Sequence, residues 1–416
     1  MLKKIVTALA LGLIFSLILL YFLAGGLGGH HEGPGTVTDI PIAQQTLTLR
    51  QAVQDRATPQ GQQSQILFGD FHVHTTLSLD AFGFSLPLLG GEGSHPQADA
   101  CDFARYCSAL DFWSINDHAE GLTQRRWRET VDSIRQCNAV ASNQDNPDTV
   151  AFLGWEWTQM GESPDNHYGH KNVILAGLKD EQIPTRPIAA RATAGLPSSN
   201  QAVNRTARAI LTLAYPEQRS LDAGLYYQQI ADQTLCPSGV PVRDLPLDCR
   251  EEAGNPQELF AKLDEWAVDA MVIPHGTTWG NYTPPSSSWR KQLPNQKNDS
   301  NWESLVEIYS GHGSAEEYRP WRAANRDESG HWSCPPPQAN YTPSCWRAGE
   351  IIQQRCLQAG FDNSECNKRA EITRQAHVER GIAGHLVVAG AQTEDWLDSG
   401  QCNDCFLPAF NHRPLN

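Results

Sequence analysis

The chain has 416 residues, with 32 basic and 47 acidic side chains and a formal net charge of −15 at pH 7. This balance argues against nucleic acid as a partner, because phosphate backbones are bound by positively charged surfaces. A small anionic substrate is still compatible with it, since bound metal ions reverse the sign of the field inside a pocket. The length exceeds one average domain and fits a single α/β barrel with insertions.

The N-terminus has the pattern of an export segment. Lys3 and Lys4 precede an apolar run, Ile5 to Ala24, that carries no charge. A membrane-spanning helix needs about 20 apolar residues, whereas the core of a secretory signal has about 7–15. We therefore expect residues 1–24 to be an uncleaved inner-membrane anchor, with a cleaved signal and a secreted protein as the alternative. The positive flank predicts that the lysines stay cytoplasmic and that the rest is exported to the periplasm.

Composition divides the remainder into a linker and one folded domain. Residues 25–64 are rich in Gly, Gln, Thr and Pro and predict a linker, so the domain is expected to span residues 65–416. The 11 cysteines predict disulfides in an exported protein, and their odd number leaves at least one thiol unpaired. Cys402 and Cys405 have the spacing of a redox or zinc pair, but without a second such pair a structural disulfide is the expected state.

The domain alternates short apolar runs with helical patterns. Helices are predicted over Ala98–Leu110 and over Thr123–Ala141, where apolar residues recur at 3–4 spacing. The predicted strands are Gln65–Thr76, Leu110–Ala119, Val150–Thr158, Gly169–Leu175, Asp269–His275 and Ser304–His312. Strands that alternate with helices predict an α/β fold with parallel pairing, whose functional residues gather at the C-terminal ends of the strands.

Two insertions interrupt this pattern. The first, residues 176–260, has helical signals at Ala207–Leu213 and Leu225–Thr234 and is expected to form a lid or a substrate-facing excursion. The second, residues 313–384, has predicted helices at Arg347–Gln358 and Ser364–Arg380. Its four cysteines predict a subdomain held by disulfides.

Imidazoles and carboxylates occur at most of the predicted strand ends. His72 and His74 lie two residues apart, on one face of an extended strand. Alone they fit a solvent-facing pair, but the recurrence on separate strands favours a metal site. The candidate ligands are His72, His74, Asp80, His118, Glu156, His170 and His275, with Asp70, Asp117, His167, Glu307 and His312 near them in the pattern.

This ligand set predicts the metals and the reaction. Imidazole with carboxylate suits zinc, manganese or iron better than calcium, and seven ligands exceed what one tetrahedral ion uses. Two or three divalent metal ions are therefore expected, with Glu156 as the bridging carboxylate and His118, Glu156 and His275 as catalytic residues. Paired metals activate water for hydrolysis, most naturally of a phosphate ester. His118 or His275 would assist proton transfer if it did not bind metal.

Substrate contacts are harder to assign. Arg125, Arg126 and Lys171 follow these motifs closely and fit a phosphate clamp, although solvated surface charges fit them equally well. His312, in a Gly-rich turn, is a candidate for a substrate contact or for a residue that supports a ligand. Trp155, Trp157 and Trp279 are expected to pack in the core.

The motifs together resemble the PHP (polymerase and histidinol phosphatase) superfamily. More narrowly they resemble its exported bacterial branch, domain-of-unknown-function family 3604. The matching segments are Phe68–Asp80, Asn116–Glu120, Gly154–Trp157, His170–Asn172, Ile273–Gly276 and Val306–Glu316. This resemblance implies a distorted (β/α)7 TIM-like barrel with a trinuclear metal site and phosphoesterase-like hydrolysis. Through the matching motifs, the resemblance implies that the metal ligands are His72, His74, Asp80, His118, Glu156 and His275. His170 is a looser match to the family pattern.

The chain also departs from that family. PHP proteins close their site with a late Asp-x-His, and no segment after Asp70-Phe-His72 is assigned this role. Either the chain is a truncated barrel, incomplete at its C-terminal end, or the last ligands come from elsewhere, and His385 and His412 fit poorly. Two alternatives therefore stay open: hydrolysis of a C–N bond or a sulfate ester, and a non-catalytic surface binding protein.

Overall fold

The structure is a computed structural model, and it describes most of the chain. The described residues are 2–57, 66–87, 94–141, 147–191, 204–277, 279–280, 283–284, 287, 302–310, 313–314, 322–327, 329–338 and 341–400. The α-helices are α1 Leu2–Leu23, α2 Gln44–Ala57, α3 Leu79–Phe84, α4 Gln97–Asp102, α5 Gln124–Val140, α6 Arg205–Ala214, α7 Gln218–Ala231, α8 Pro256–Trp266, α9 Ser344–Gln358 and α10 Asn363–Glu379. The strands are β1 Gly69–Val73, β2 Phe112–Ile115, β3 Val150–Trp157, β4 His170–Leu175, β5 Ile188–Ala190, β6 Thr234–Leu235, β7 Cys249–Ala253, β8 Ala270–His275, β9 Trp279–Gly280, β10 Tyr309–Ser310, β11 Gly313–Ser314, β12 Asn325–Arg326 and β13 Trp332–Ser333.

A five-stranded sheet carries the predicted motifs. Its strand order is β1-β2-β3-β4-β8, and β1, β2 and β3 are parallel as predicted. The prediction of parallel pairing throughout was wrong, because β4 runs antiparallel to both β3 and β8. The connection from β3 to β4, residues 158–169, contains no helix, whereas a parallel crossover is usually made by one.

Because β4 is antiparallel, His170 lies at the same edge of the sheet as His275. The start of an antiparallel strand lies beside the ends of its neighbours, so His170 pairs in register with His275, the last residue of β8. Gly169 precedes it with a φ of +72°, a left-handed conformation that favours glycine. His170, at the start of β4, therefore lies beside His275, at the end of β8.

The sixth predicted strand is only partly formed. Residues 302–308 run beside β8, where Val272 N donates to Trp302 O at 2.9 Å and Glu307 N donates to Pro274 O at 3.1 Å. Only Tyr309–Ser310 of this stretch is a strand, and it pairs with β11 in a separate three-stranded sheet. Within the described residues the main sheet thus has five strands, and the seven-stranded barrel stays a prediction.

Large aromatic side chains form the core behind the sheet. Trp113, Trp127, Trp155 and Trp157 are buried, as predicted for the last two, and they join one apolar cluster with residues of β4, β8 and α8. Trp155 Nε1 donates to Ile188 O at 3.1 Å and Trp157 Nε1 donates to Ala253 O at 3.2 Å. These bonds satisfy the two buried indoles and tie the first insertion to the sheet.

Both insertions contain more structure than their sequences indicated. The first holds α6 and α7, close to the two predicted helices, and a three-stranded sheet of order β5-β7-β6. The second holds α9 and most of α10 at the predicted positions. The side chain of Trp279 is not described.

Four disulfides are formed among the described cysteines, which agrees with an oxidising compartment. They join Cys101 to Cys137, Cys236 to Cys249, Cys334 to Cys345 and Cys356 to Cys366. The last two hold the second insertion, as predicted. Cys107 is exposed and outside any disulfide, while Cys402 and Cys405 lie outside the described residues.

The N-terminal region differs from the predicted linker. α1 is long and apolar enough to cross a membrane, a test that an N-terminal signal sequence also passes. The segment predicted as a linker contains α2, and its earlier part lies against the domain. Arg105 Nη1 donates to Thr38 O at 2.6 Å, and His31 Nε2 lies 2.8 Å from Glu129 Oε2. These contacts join residues far apart in sequence, so composition alone did not indicate them.

Candidate metal centre

Glu156 lies at the centre of the candidate site. It is on β3 between Trp155 and Trp157, and the alternation of a strand turns both indoles to the core and the carboxylate to the opposite face. Its backbone is held by Asp117, since Glu156 N donates to Asp117 O at 3.0 Å. The side chain is fully buried.

The two oxygens of Glu156 face different imidazoles. Oε2 lies 3.3 Å from His72 Nε2 and 3.1 Å from His74 Nε2, both on the β1 side. Oε1 lies 2.5 Å from His170 Nδ1, and 3.5 Å from both His118 Nδ1 and His275 Nε2. One carboxylate therefore touches all five predicted histidine ligands and divides them into two sets.

In the part of the chain that the structure describes, four overlapping groups of side chains have the spacing to hold a metal ion. In each group the ligand atoms all lie within 4.8 Å of one another. The groups are His72–His74–Glu156, Glu156–His170–His275, His74–Asp80–His118 and His72–His275–Glu307. Each of the seven ligands predicted from the sequence belongs to at least one group, so the structure brings all seven together.

The unsatisfied atoms of the cluster fit a metal. His74 Nε2 and Glu156 Oε1 are buried without hydrogen-bond geometry to any described residue, although Oε1 lies 2.5 Å from His170 Nδ1. His74 Nε2 lies near Glu156 Oε2 without hydrogen-bond geometry. Buried polar atoms without a hydrogen bond are costly, whereas a metal ion would use the lone pairs that converge here.

Hydroxyl groups orient the histidines from outside the cluster. His74 Nδ1 lies 2.8 Å from Ser78 Oγ, and His118 Nδ1 lies 2.5 Å from Thr158 Oγ1. Asp117 is buried and accepts hydrogen bonds from Thr75 N at 2.6 Å and from Thr75 Oγ1 at 2.7 Å. It thus joins the loops after β1 and β2 as a support. Such outer partners fix the ring orientation of metal-binding histidines.

Charge within the cluster shifts its pKa values strongly when no metal is bound. Burial acts to lower the pKa of His72, but Glu156 and Glu307 outweigh it and raise that pKa to about 10. Burial also acts to lower the pKa of His118, but the charges of Glu156 and Asp80 outweigh it and raise that pKa to about 10. Burial and the nearby charge of His72 lower the pKa of His275 to about 4. Burial alone would raise the pKa of Glu156, but the surrounding imidazoles hold it well below its usual range.

Two residues of the site were not among the predicted ligands. Glu307, which the pattern placed only nearby, lies 2.7 Å from His72 Nδ1 through its Oε2. Asn172 is buried, lies in register with Glu156, and neither atom of its amide has a hydrogen-bond partner among the described residues. The two-residue spacing from His170 to Asn172 is the signal that could have identified it.

The predicted substrate residues have other partners. Arg125 Nε donates to Glu129 Oε1 at 2.9 Å, whereas Arg126 is buried and donates to Gly121 O at 2.8 Å. Lys171 projects to the face opposite His170 and lies 2.8 Å from Glu303 Oε1. The structure therefore does not support these three as a phosphate clamp, because packing directs their charges elsewhere. His312 lies outside the described residues.

The remaining candidates do not belong to the four groups. The Asp70 carboxylate accepts a hydrogen bond from the backbone N of His72, two residues away, at 2.8 Å. The segment Asp165-Asn166-His167 has the Asp-x-His spacing that motif reading overlooked, but Asp165 pairs with Arg326 at 2.6 Å. His167 Nδ1 accepts from Gly161 N at 3.2 Å. His385 lies near His377, and His412 is outside the described residues.

Replacing Glu156 with glutamine should remove metal binding. The change keeps the side-chain shape but removes the charge and one acceptor between the two sets of histidines. We expect metal affinity to fall by more than the roughly 10- to 100-fold that losing an outer partner costs. Elemental analysis after dialysis measures bound metal per chain. Glu129→Gln is the matched control, since Glu129 also contacts a histidine but belongs to none of the groups. Full metal retention in E156Q would contradict the assignment.

Metal affinity should rise with pH. His72 and His118 hold protons at neutral pH because their pKa values are raised, and a metal must displace those protons to bind. Each displaced proton changes the apparent affinity about tenfold per pH unit, so affinity should fall steeply on acidification from about pH 8 to pH 6. Calorimetry in buffers of different ionisation enthalpy counts the protons released. Binding that is independent of pH and releases no protons would contradict this account.

Comparisons with known proteins add no assignment. A scan against family models, a search of curated proteins and a search of solved structures each found no match. The PHP resemblance therefore stays a prediction from motifs. The arrangement of the seven ligands is an independent observation of this chain's own fold.

Proposed function

We propose that this protein is an exported metal-dependent hydrolase that cleaves a phosphate ester. It would use two or three divalent metal ions, of zinc, manganese or iron. The observation that carries the proposal is the division of five imidazoles between the two oxygens of Glu156. A buried carboxylate with a different nitrogen set at each oxygen fits the bridging ligand of a multinuclear centre.

The donor set favours these metals. Five imidazoles with carboxylates from Asp80, Glu156 and Glu307 suit zinc, manganese or iron, whereas calcium prefers oxygen ligands alone. When bound, such ions supply Lewis acidity, lower the pKa of water and stabilise both the attacking and the leaving oxygen of a phosphoryl group. The motif resemblance supports the same chemistry, together with a distorted (β/α)7 barrel of which the five strands would be part.

The side chains of the chain have distinct roles in this proposal. Glu156 would hold the metal ions and offset part of their charge from a fully buried site. Ser78 and Thr158 hold His74 and His118 in fixed ring orientations. Asp80, whose side chain is 42% exposed, is on the more accessible side of the cluster. A substrate would therefore approach past Asp80 rather than past Glu156.

Phosphate binding would depend on the metals rather than on arginine. Arg126 and Lys171 are buried against other partners, and Arg125 pairs with Glu129 on the surface. In a chain of net charge −15, the metal ions then supply the positive field that an anion needs. The ester would be small enough to reach the cluster.

The proposed location is the periplasm, with α1 as an inner-membrane anchor. Four disulfides support an oxidising compartment, and the apolar length of α1 is sufficient to span a bilayer. Lys3 and Lys4, in the first turn of α1, fit the cytoplasmic side.

A phosphatase panel on metal-loaded protein tests the proposal. We expect turnover of at least one phosphate ester, inhibition by vanadate and loss of activity on chelation. His72→Ala should lower kcat/KM by more than about 100-fold, since it removes a ligand of two groups. His331→Ala is the control, because the His331 side chain is exposed and lies beside Asp327, away from the four groups. Turnover unaffected by His72→Ala, or hydrolysis restricted to amides and insensitive to vanadate, would contradict the proposal.

A further inference from the structure

A pocket of about 720 Å³ lies directly beside the candidate metal centre. It lies between β1 and the helical segment that follows α4, and His72 and His74 belong both to its lining and to the metal-binding groups. Its volume is in the range of sites that bury most of a small organic ligand. A molecule held at the cluster can therefore extend into this space.

The wall of the pocket has an unusual backbone. Residues Phe103–Cys107 form a single π-helical turn, a rare conformation that is frequent at functional sites. Shortly after it, Ala109 has a φ of +54°, which is strained for a residue other than glycine. Phe103, Tyr106 and Cys107 of this π turn line the pocket.

The chemistry of the lining selects its ligand. Most of the wall is apolar, and Phe103 is 60% exposed although its ring is large and hydrophobic. The carboxylates in the lining are Asp70, Asp99 and Asp102, and the described lining includes no lysine or arginine. These carboxylates would repel a second anionic group on the ligand. Burial of an apolar part of the ligand in the pocket would be favourable, because it removes that surface from water.

One buried donor adds a polar contact. Trp113 is buried and lines the pocket, and its Nε1 makes no hydrogen bond to the described residues. A buried donor without a partner is costly, so a ligand oxygen within reach would be favourable.

We propose that this pocket binds the alcohol part of the phosphate ester, and that this alcohol is mainly apolar and carries no negative charge. The inference rests on the proposed phosphoesterase function for the position of the phosphate. It excludes sugar phosphates and nucleotides as preferred substrates, because their hydroxyl and phosphate groups do not match an apolar, acid-bordered wall.

Non-hydrolysable phosphonates test this directly. Calorimetry on metal-loaded protein would compare methylphosphonate, phenylphosphonate and naphthylmethylphosphonate. We expect affinity to rise with apolar area, by at least about 10-fold from the methyl to the naphthylmethyl compound. Ala100→Phe, which fills the lining, should remove that gain, while Ala207→Phe on the exposed face of α6 should keep it.

Cys107 gives a second readout on the unmodified protein. Its thiol is exposed, outside any disulfide and part of the lining. Peptide mass spectrometry would follow its alkylation rate, which naphthylmethylphosphonate and the free alcohol naphthylmethanol should both slow. Equal affinities for all phosphonates, or unprotected Cys107, would overturn the pocket assignment. If no phosphonate binds but the alcohol still protects Cys107, the apolar pocket stands and the phosphoesterase function is wrong.

Discussion

The structure depends on one buried carboxylate surrounded by imidazoles. Removing a carboxylate from water is costly unless opposite charge or a metal compensates for it. Glu156 meets that requirement with five histidines, contributed by β1, the loop after β2, β4 and β8. The Trp155 and Trp157 side chains that flank it anchor β3 in the core and fix the direction in which the carboxylate points. Packing on one face of the strand thus determines the chemistry on the other.

The sheet brings together candidate metal ligands that are far apart in sequence. His72 and Glu307 are 235 residues apart, yet their side chains are in hydrogen-bond contact because residues 302–308 run beside β8. The antiparallel β4 places His170 opposite His275 at the same edge. The apolar pocket beside β1 then adjoins the ligands His72 and His74, so a reacting group and its organic part would have separate environments.

The sequence predicted which side chains converge better than it predicted the topology. Residue type and position at strand ends were enough for His72, His118, Glu156 and His275, because each follows or ends an apolar run. Strand direction was not readable, since β4 has the same apolar pattern whichever way it runs. Glu307 and Asn172 were missed as site residues because their roles depend on register with Pro274 and Glu156. The roles of Arg126 and Lys171 stayed open because a basic residue near a motif has the same appearance in sequence whether it faces the site or the core.

The most direct test of the account is a crystal structure of the metal-loaded protein with anomalous scattering at the edge of the added metal. The account predicts at least two metal peaks, one at each oxygen of Glu156, at about 2.0–2.2 Å from oxygen and nitrogen ligands. The nitrogen ligands should be His72 and His74 on one side and His170 and His275 on the other. A single peak remote from Glu156, or no peak within this cluster, would contradict it.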